Sequence, residues 1–578
     1  MERSRKMDAT GPAAARVPLI RVAVVSFFFL AVLVGLVHSQ TIGSQLEQIK
    51  QLTARQRWQE VVNLAESSPS RSADLDFYYA TALANLDRWQ DAARIFKEGR
   101  RLAPNDERFP VELAGIEFKQ KNYPQAAALL RRALELAPND SYATNFLASV
   151  YFLAGNLEAA LKYWNRQDKP TISAIRMEPM PRVNAALLDR AFTFAPASTL
   201  LLPDLLTSRT RVEGLGIFPF SRFDLLARED GAFDLMFRNQ ERDGWGNGPV
   251  EILLGLFRRL PAQTVTPEYL NFRHEAINFT SSFRWDAQKR RILAGFSAPF
   301  GGNPKRRYRL GIDLRNENWN LLTSFTGPAQ ELGTFNLLRE AASAEFTSFS
   351  SGRWNWSAGA ELSHRDFRSI LPGPALSANL LAEGLQLKQS DRLNVSLWRV
   401  PERRIDLSAT ASTEFGRVWS QPSHSFAKLQ GSLLFHWLPR ALDDDYEMQN
   451  HIFAGKTFGG VPVDELYVFG VWGDNDLWMR GHIATRDGKK GSGPMGRQYF
   501  LSNWEIDKKI FSKAGVNLKL GPFVDTGAMA DDAPALGSHK WLCDMGAQLK
   551  IRVLGVGVGV MYGTDLRSGN HALTAVQQ

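Results

Sequence analysis

Residues 243–578 hold twelve of the chain's fifteen tryptophans. They contain no apolar run of the ~18 residues that a membrane-spanning helix requires. Short alternating stretches bounded by Gly, Asn, Asp and Pro stand there instead. Arg353-Trp354-Asn355-Trp356-Ser357-Ala358-Gly359 and Leu393-Asn394-Val395-Ser396-Leu397-Trp398 alternate cleanly, and Tyr269–Phe279 does so loosely. A period of two with aromatic residues near segment ends predicts a transmembrane β-barrel. Lipid requires every backbone polar group to be satisfied internally, and a closed sheet does this without helices. About 16 antiparallel strands of about 10 residues fit the length comfortably, and twelve or fourteen also fit.

The start of the chain sets the compartment. Arg3, Arg5, Lys6, Arg16 and Arg21 precede an uncharged apolar stretch from Val22 to Val37, with Ser26 its one hydroxyl, followed by His38-Ser39-Gln40. A basic start, an apolar centre and small residues at a cut site describe a secretory signal peptide over residues 1–39. A retained membrane anchor is the alternative, because the run approaches bilayer length. Both place the remainder outside the cytoplasm. A soluble β-sandwich accounts poorly for outward-alternating tryptophans behind such a leader.

Composition removes several classes. One cysteine, Cys543, excludes a disulfide framework and a cysteine-based metal or cluster site. The formal charge is +9, and the +6 that remains without the first forty residues is spread with no dominant basic run, so charge points only weakly to nucleic acid. The nine histidines are scattered, with no His-Glu-x-x-His, nucleophile elbow or Gly-Lys-Ser/Thr phosphate loop. Asp443-Asp444-Asp445 is read as a solvated acidic loop rather than a cation site, since hard cations take more oxygen ligands than it guarantees. Gly555-Val556-Gly557-Val558-Gly559 reads as a strand rather than a nucleotide loop, and the alternation reverses near Leu554, implying a turn or bulge. No cofactor, metal or catalytic residue is expected, and the chain is not read as an enzyme.

Residues 40–170 carry a repeat. Leu-Ala-Pro-Asn-Asp occurs at Leu102–Asp106 and again at Leu136–Asp140, 34 residues later. Trp89-Gln90-Asp91-Ala92-Ala93 aligns with Tyr123-Pro124-Gln125-Ala126-Ala127 and then with Leu157-Glu158-Ala159-Ala160. That period is the one of the tetratricopeptide repeat, predicting an all-α solenoid of stacked helix pairs. Its concave face either docks a periplasmic protein or merely spaces the domains apart.

Residues 171–242 form a small α+β module in the order strand, helix, helix, strand, strand. The predicted elements are Thr171–Met177, Val183–Phe194, Leu200–Ser208, Arg222–Ala227 and Ala232–Phe237, the last two joined at Glu229-Asp230-Gly231. With Arg211-Val212-Glu213-Gly214-Leu215-Gly216-Ile217-Phe218 before its hairpin, the module resembles the polypeptide-transport-associated (POTRA) domain. That resemblance implies an edge strand, Arg222, Phe223, Asp224, Leu225 and Leu226, whose main chain receives an extended client. The alternative is a plain adaptor between solenoid and barrel.

Three motifs follow in the barrel region: Trp478-Met479-Arg480-Gly481-His482 after a strand candidate at Glu465–Val471, then Asn503-Trp504-Glu505 and Phe523-Val524-Asp525-Thr526-Gly527. In this order, over residues 171–578, they resemble the bacterial surface-antigen superfamily of BamA- and TamA-type outer-membrane barrels. The resemblance implies a loop folded back into the lumen. Arg480 would pair there with Asp525, with Glu505 as a second acid, Gly481 giving a tight turn and Phe523 packing on the guanidinium. Gly527 completes the Phe-x-Asp-x-Gly motif. His482 departs from the family's Phe or Tyr, and the chain lacks a terminal aromatic. The implied role is insertion or translocation of polypeptide in the outer membrane of a Gram-negative-type bacterium, with the repeats and module in the periplasm. Its partners would be outer-membrane lipid and unfolded polypeptide or barrel-protein clients. The alternative is a passive channel or scaffold whose repeats recruit a periplasmic partner.

Overall fold

The computed structural model describes residues 45–68, 70–257, 259–322, 330–373, 376, 380–440, 445–471, 475–513, 516–533, 536–538, 541–553 and 556–577. The leader, Asp443, Asp444 and Leu554 lie outside them. The chain divides after Leu147 into two compact units.

The first unit is helical. After helical residues 45–54 come α1 (Trp58–Glu66), α2 (Ala73–Asn85), α3 (Trp89–Leu102), α4 (Arg108–Lys119), α5 (Tyr123–Leu136) and the start of α6 (Ser141–Leu153). Trp89 and Tyr123, equivalent in the repeat, each open a helix. α3 and α5 end two residues before Pro104 and Pro138, which cannot continue a helix. Ser72 caps α2 by accepting from the Leu75 amide. Ala92 and Ala126 are buried at equivalent positions, where small side chains let neighbouring helices approach closely. Gly99 is tighter still, since a Cβ there would lie 2.7 Å from Cζ of Phe109.

The second unit opens with the end of α6 and α7 (Leu157–Trp164), the third copy of the repeat's second helix. A small module follows: β1 (Ile172–Glu178), α8 (Ala185–Ala191), α9 (Leu202–Gly214), β2 (Phe220–Ala227) and β3 (Phe233–Gln240). Its sheet has the order β1-β3-β2, with β1 parallel and β2 antiparallel to β3. Gly231, at φ 79°, turns the β2–β3 hairpin in a conformation glycine adopts at little cost. Phe192, Phe194, Phe223 and Phe237 pack edge-on and stacked in the core. α9 runs six residues beyond the expected end, to Gly214, because Arg211 and Val212 are buried and extend its packed face.

The remainder is a barrel. Helix α10 (Pro249–Phe257) precedes β4 (Thr264–Val265), β5 (Glu268–Phe272), β6 (Ile277–Asp286), β7 (Lys289–Phe300), β8 (Asn303–Leu322), β9 (Glu331–Ser348) and β10 (Trp354–Leu371). Then come β11 (Gly384–Val400), β12 (Ile405–Trp419), β13 (His424–Trp437), β14 (Tyr446–Gly459) and a long connection carrying β15 (Tyr467–Val468), β16 (Thr485–Arg486), β17 (Lys489–Lys490) and β18 (Met495–Gly496). β19 (Gln498–Lys513), β20 (Val516–Ala530), β21 (Leu542–Val553), β22 (Val556–Asp565) and β23 (His571–Gln577) complete the wall.

The strand order closes, bringing β23 beside β4, and contains eighteen segments among the described residues. The hairpin β16–β17 belongs to the long connection, and β4 and β5 both pair with β6 as one interrupted strand. Fifteen wall strands remain, close to the sixteen expected, each antiparallel to the next. Alternation puts polar groups inside and apolar groups outside. On β6, Phe279, Phe283 and Trp285 are exposed outward while Arg284 is buried within. On β8, Leu310, Ile312 and Leu314 face out, whereas Asp313 binds Arg291 and Arg315 on the inner face. No helix among the described residues is long and apolar enough to cross a membrane.

Two expectations change. Tyr269–Phe279 is not one strand: β5 ends at Phe272, and Arg273, His274 and Ala276 turn the chain with positive φ before β6. Glu465–Val471 is not a wall strand but part of the long connection, where only Tyr467–Val468 is extended, against Met495–Gly496. Ahead of the first wall strand the region from 243 carries a helix, α10. β21 and β22 pair down to Val553↔Val556, so the chain does reverse between those residues.

Candidate functional site

β14 and β19 are hydrogen-bonded neighbours, from Tyr446↔Lys508 to Lys456↔Gln498. The connection over residues 460–497 therefore leaves and re-enters the wall at adjacent points. It folds inward: Val461, Val463, Phe469, Val471, Met479 and Met495 are all buried.

Arg480 is the centre of its contact with the wall. Its side chain is 2% exposed, although an arginine normally lies at a surface. Nε and Nη2 donate to both carboxylate oxygens of Asp525 on β20, at 2.9 Å and 2.6 Å. Nη1 donates to Glu505 on β19 and to Gln548 on β21, each at 2.9 Å. The guanidinium carbon lies 3.9 Å from the centre of the Phe523 ring, a cation–π distance. The Arg480 amide also donates to Asp525, at 2.8 Å, so the carboxylate holds backbone and side chain together. A planar guanidinium suits this two-point contact in a way a lysine ammonium does not.

Gly481 stands in the turn closed by the His482 amide on the Met479 carbonyl, and its amide donates to Asp544 at 2.6 Å. Room, rather than an unusual φ, dictates glycine here: a Cβ would lie 2.7 Å from Asp544 Cγ and from the Asp565 amide. His482 sits with Nδ1 3.1 Å from Asp544, a polar contact where the resemblance implies an aromatic one. Gly527 does not touch the arginine; a Cβ on it would lie 2.6 Å from the Phe500 carbonyl on the neighbouring strand.

Two further groups complete this cluster: Asn503, which opens the second motif, and Lys550, which no motif marks. Asn503 donates to Asp525 at 2.6 Å and to the Trp478 carbonyl. Lys550 reaches Glu505 and Asp507, at 2.5 Å and 2.7 Å. The inward phase of Lys550 on its strand was the available signal. A polar cavity of about 580 Å³ adjoins the clamp, lined in part by Asn394, Gln430, His451, Asp476, Glu505 and Lys550.

A second attachment, also missed, faces it across the lumen. Asp464 and Glu465, just after β14, meet Arg339 on β9, Arg365 on β10, and Lys388 and Lys428 on β11 and β13. Lys490 on β17 adds a third, to Glu317 on β8 at 2.9 Å. The loop is thus held by ion pairs on three parts of the wall.

In the small module, β2 lies at the sheet edge. Phe223 and Leu225 point into the core, and Arg222, Asp224 and Leu226 lie on the opposite face, where Arg222 pairs with Asp224.

Residues 111–170 match the tetratricopeptide repeat family model. No curated protein matches the chain. Among solved structures, the chain is similar to BamA from Haemophilus ducreyi lacking POTRA domains 1–3, at 14% identity and a TM-score of 0.39, covering 70% of this chain and 83% of that one. It is also similar to CdiB from Escherichia coli, at 14% identity and a TM-score of 0.43, covering 71% of this chain and 75% of that one.

Proposed function

We propose that this chain is an outer-membrane β-barrel that inserts or translocates polypeptide, with its repeats and small module on the periplasmic side. The observation that carries the reading is the inward loop: residues 460–471 and 475–497 pack inside the wall, and Arg480 is fixed to Asp525 on β20. Such a latch holds one part of the wall rigid and leaves the join between first and last strands as the deformable part, which suits a barrel that handles polypeptide.

The outward band of Phe279, Phe283, Trp285, Leu310 and Ile312 supports burial in lipid, since an apolar surface of that extent is costly in water. The module's side of the barrel carries the short β7–β8, β9–β10 and β11–β12 turns; Arg307 donates to the Gly214 and Leu215 carbonyls, and Asn156 to the Pro401 carbonyl. The long connections lie at the other end, matching the usual short periplasmic turns and longer outer loops. An extended client would pair with the β2 edge around Arg222–Leu226, by main-chain hydrogen bonds largely indifferent to sequence. The repeats would hold a periplasmic protein. Strand pairing and apolar burial in lipid supply the driving force.

Depletion of the protein in its own cell tests this. Loss of assembled barrel proteins or of a secreted polypeptide is the expected result. Normal assembly and secretion, with only permeability altered, would contradict it.

A further inference from the structure

Helix α10 and the residues flanking it run along the outer edge of the first wall strand. Gly244 and Leu270 exchange both backbone hydrogen bonds, at 2.8 Å and 2.9 Å. Further along, the Thr266 amide donates to the Leu256 carbonyl and its hydroxyl to the Gly255 carbonyl. The Thr264 amide donates to the Arg259 carbonyl. A nine-residue helix rises ~13 Å, which is the length of four strand residues, so α10 spans the stretch between its two attachments.

The two faces of α10 differ in chemistry. Glu251 and Gly255 are its buried residues, and Glu251 lies 3.4 Å from Arg242, which also reaches Glu268. Glu268 and Leu270 border a polar cavity inside the barrel wall, so this is the lumen side. At about 100° per residue, Val250, Leu253 and Phe257 fall within an arc of roughly 60° on the opposite side. All three are exposed, Leu253 by 55%, and so are Trp245 and Leu260 at the two ends. Trp245 packs on Tyr269, whose cross-strand neighbour Phe279 belongs to the outward apolar band. The apolar face of α10 is therefore continuous with the outer surface of the wall.

The outer edge of β4 and β5, where the strand order closes on β23, thus carries backbone hydrogen bonds to α10 and its flanks at residues 264, 266 and 270. From these observations we propose that α10 is a lipid-facing helix at the barrel seam, its Val250–Leu253–Phe257 face against acyl chains and its Glu251 face sealing the lumen. It covers the edge of β4 and β5. This rests on the reading of the barrel as membrane-embedded.

Nitroxide labels test it in the full chain, reconstituted into phosphatidylcholine vesicles in a Cys543→Ser background. Labels are placed through Leu253→Cys and Phe257→Cys, with Ile292→Cys as wall control and Asp532→Cys as water control. Relaxation by oxygen is compared with relaxation by a water-soluble nickel chelate. The expected result is an oxygen-to-nickel ratio at 253 and 257 similar to that at 292 and several-fold above that at 532. Ratios at 253 and 257 matching 532, with 292 still in lipid, would overturn the helix proposal alone. A water-like ratio at 292 as well would overturn the barrel reading on which it rests.

Discussion

Replacing Arg480 by alanine should loosen the inward loop at a cost that can be worked from its contacts. The side chain neutralises Asp525, which is fully buried, and stacks on Phe523. Removing one partner of a buried pair costs ~3–5 kcal/mol, because the remaining charge is left uncompensated. Asp525 keeps two donors in the variant, the backbone amide at 480 and Asn503, and Glu505 keeps Lys550. The cost therefore belongs at the lower end, about 3 kcal/mol. Arg480→Ala with Asp525→Ala should cost less than the sum of the single changes, with a coupling of ~2 kcal/mol. Urea titration of the refolded barrel in detergent, followed by tryptophan fluorescence, supplies the free energies. Hydrogen exchange over residues 475–486 should rise in the single variant. A loss below ~1 kcal/mol together with strict additivity would show that Arg480 and Asp525 are not coupled.

The opposite attachment makes its own prediction: Glu465→Gln removes the carboxylate shared by Arg339, Arg365, Lys388 and Lys428, so exchange should rise over 461–468 while residues near 480 stay protected. In the repeats, Gly99→Ala drives a methyl against Phe109 and should destabilise α3 and α4 by ~1–3 kcal/mol, seen as faster exchange in those helices; unchanged exchange would show that the ring yields freely. A pH effect follows from Glu402, in the turn between β11 and β12. Burial pushes its carboxyl up, but hydrogen bonds from Lys162 and Tyr163 outweigh that and leave it below the ordinary value. A depressed carboxylate stabilises above its unfolded pKa and loses that contribution as pH falls through the folded one. Exchange protection of α7 should hold near neutrality and weaken in acid, and Glu402→Gln should abolish that dependence.

How much of this was legible in the sequence varied by element. The 34-residue repeat placed Trp89 and Tyr123 at helix starts, because packing between stacked pairs repeats with the sequence. The wall was legible through alternation, as at Trp354 and Trp356, since a strand with one face outward must alternate. Val250–Leu256 was not: a short apolar run suits a strand or a helix equally, and only its contacts with β4 and β5 decide. Glu465–Val471 is a short apolar run that suits a wall strand, yet nearly all of it is buried, because it packs against the inner wall. Arg480, Glu505 and Asp525 stood out because a motif surrounds each. Arg339, Arg365, Lys388 and Lys428 come singly from four strands and meet Asp464 and Glu465 only when the sheet curves around them.

The central claim, a cylinder in lipid with its loop latched inside, is tested most directly by cryo-electron microscopy of the full chain in lipid nanodiscs. Density is expected for residues 475–486 within the barrel, with the Arg480 guanidinium against the Asp525 carboxylate and the Phe279–Trp285 face against lipid. Density placing that loop outside the barrel, with position 480 far from position 525, would contradict it.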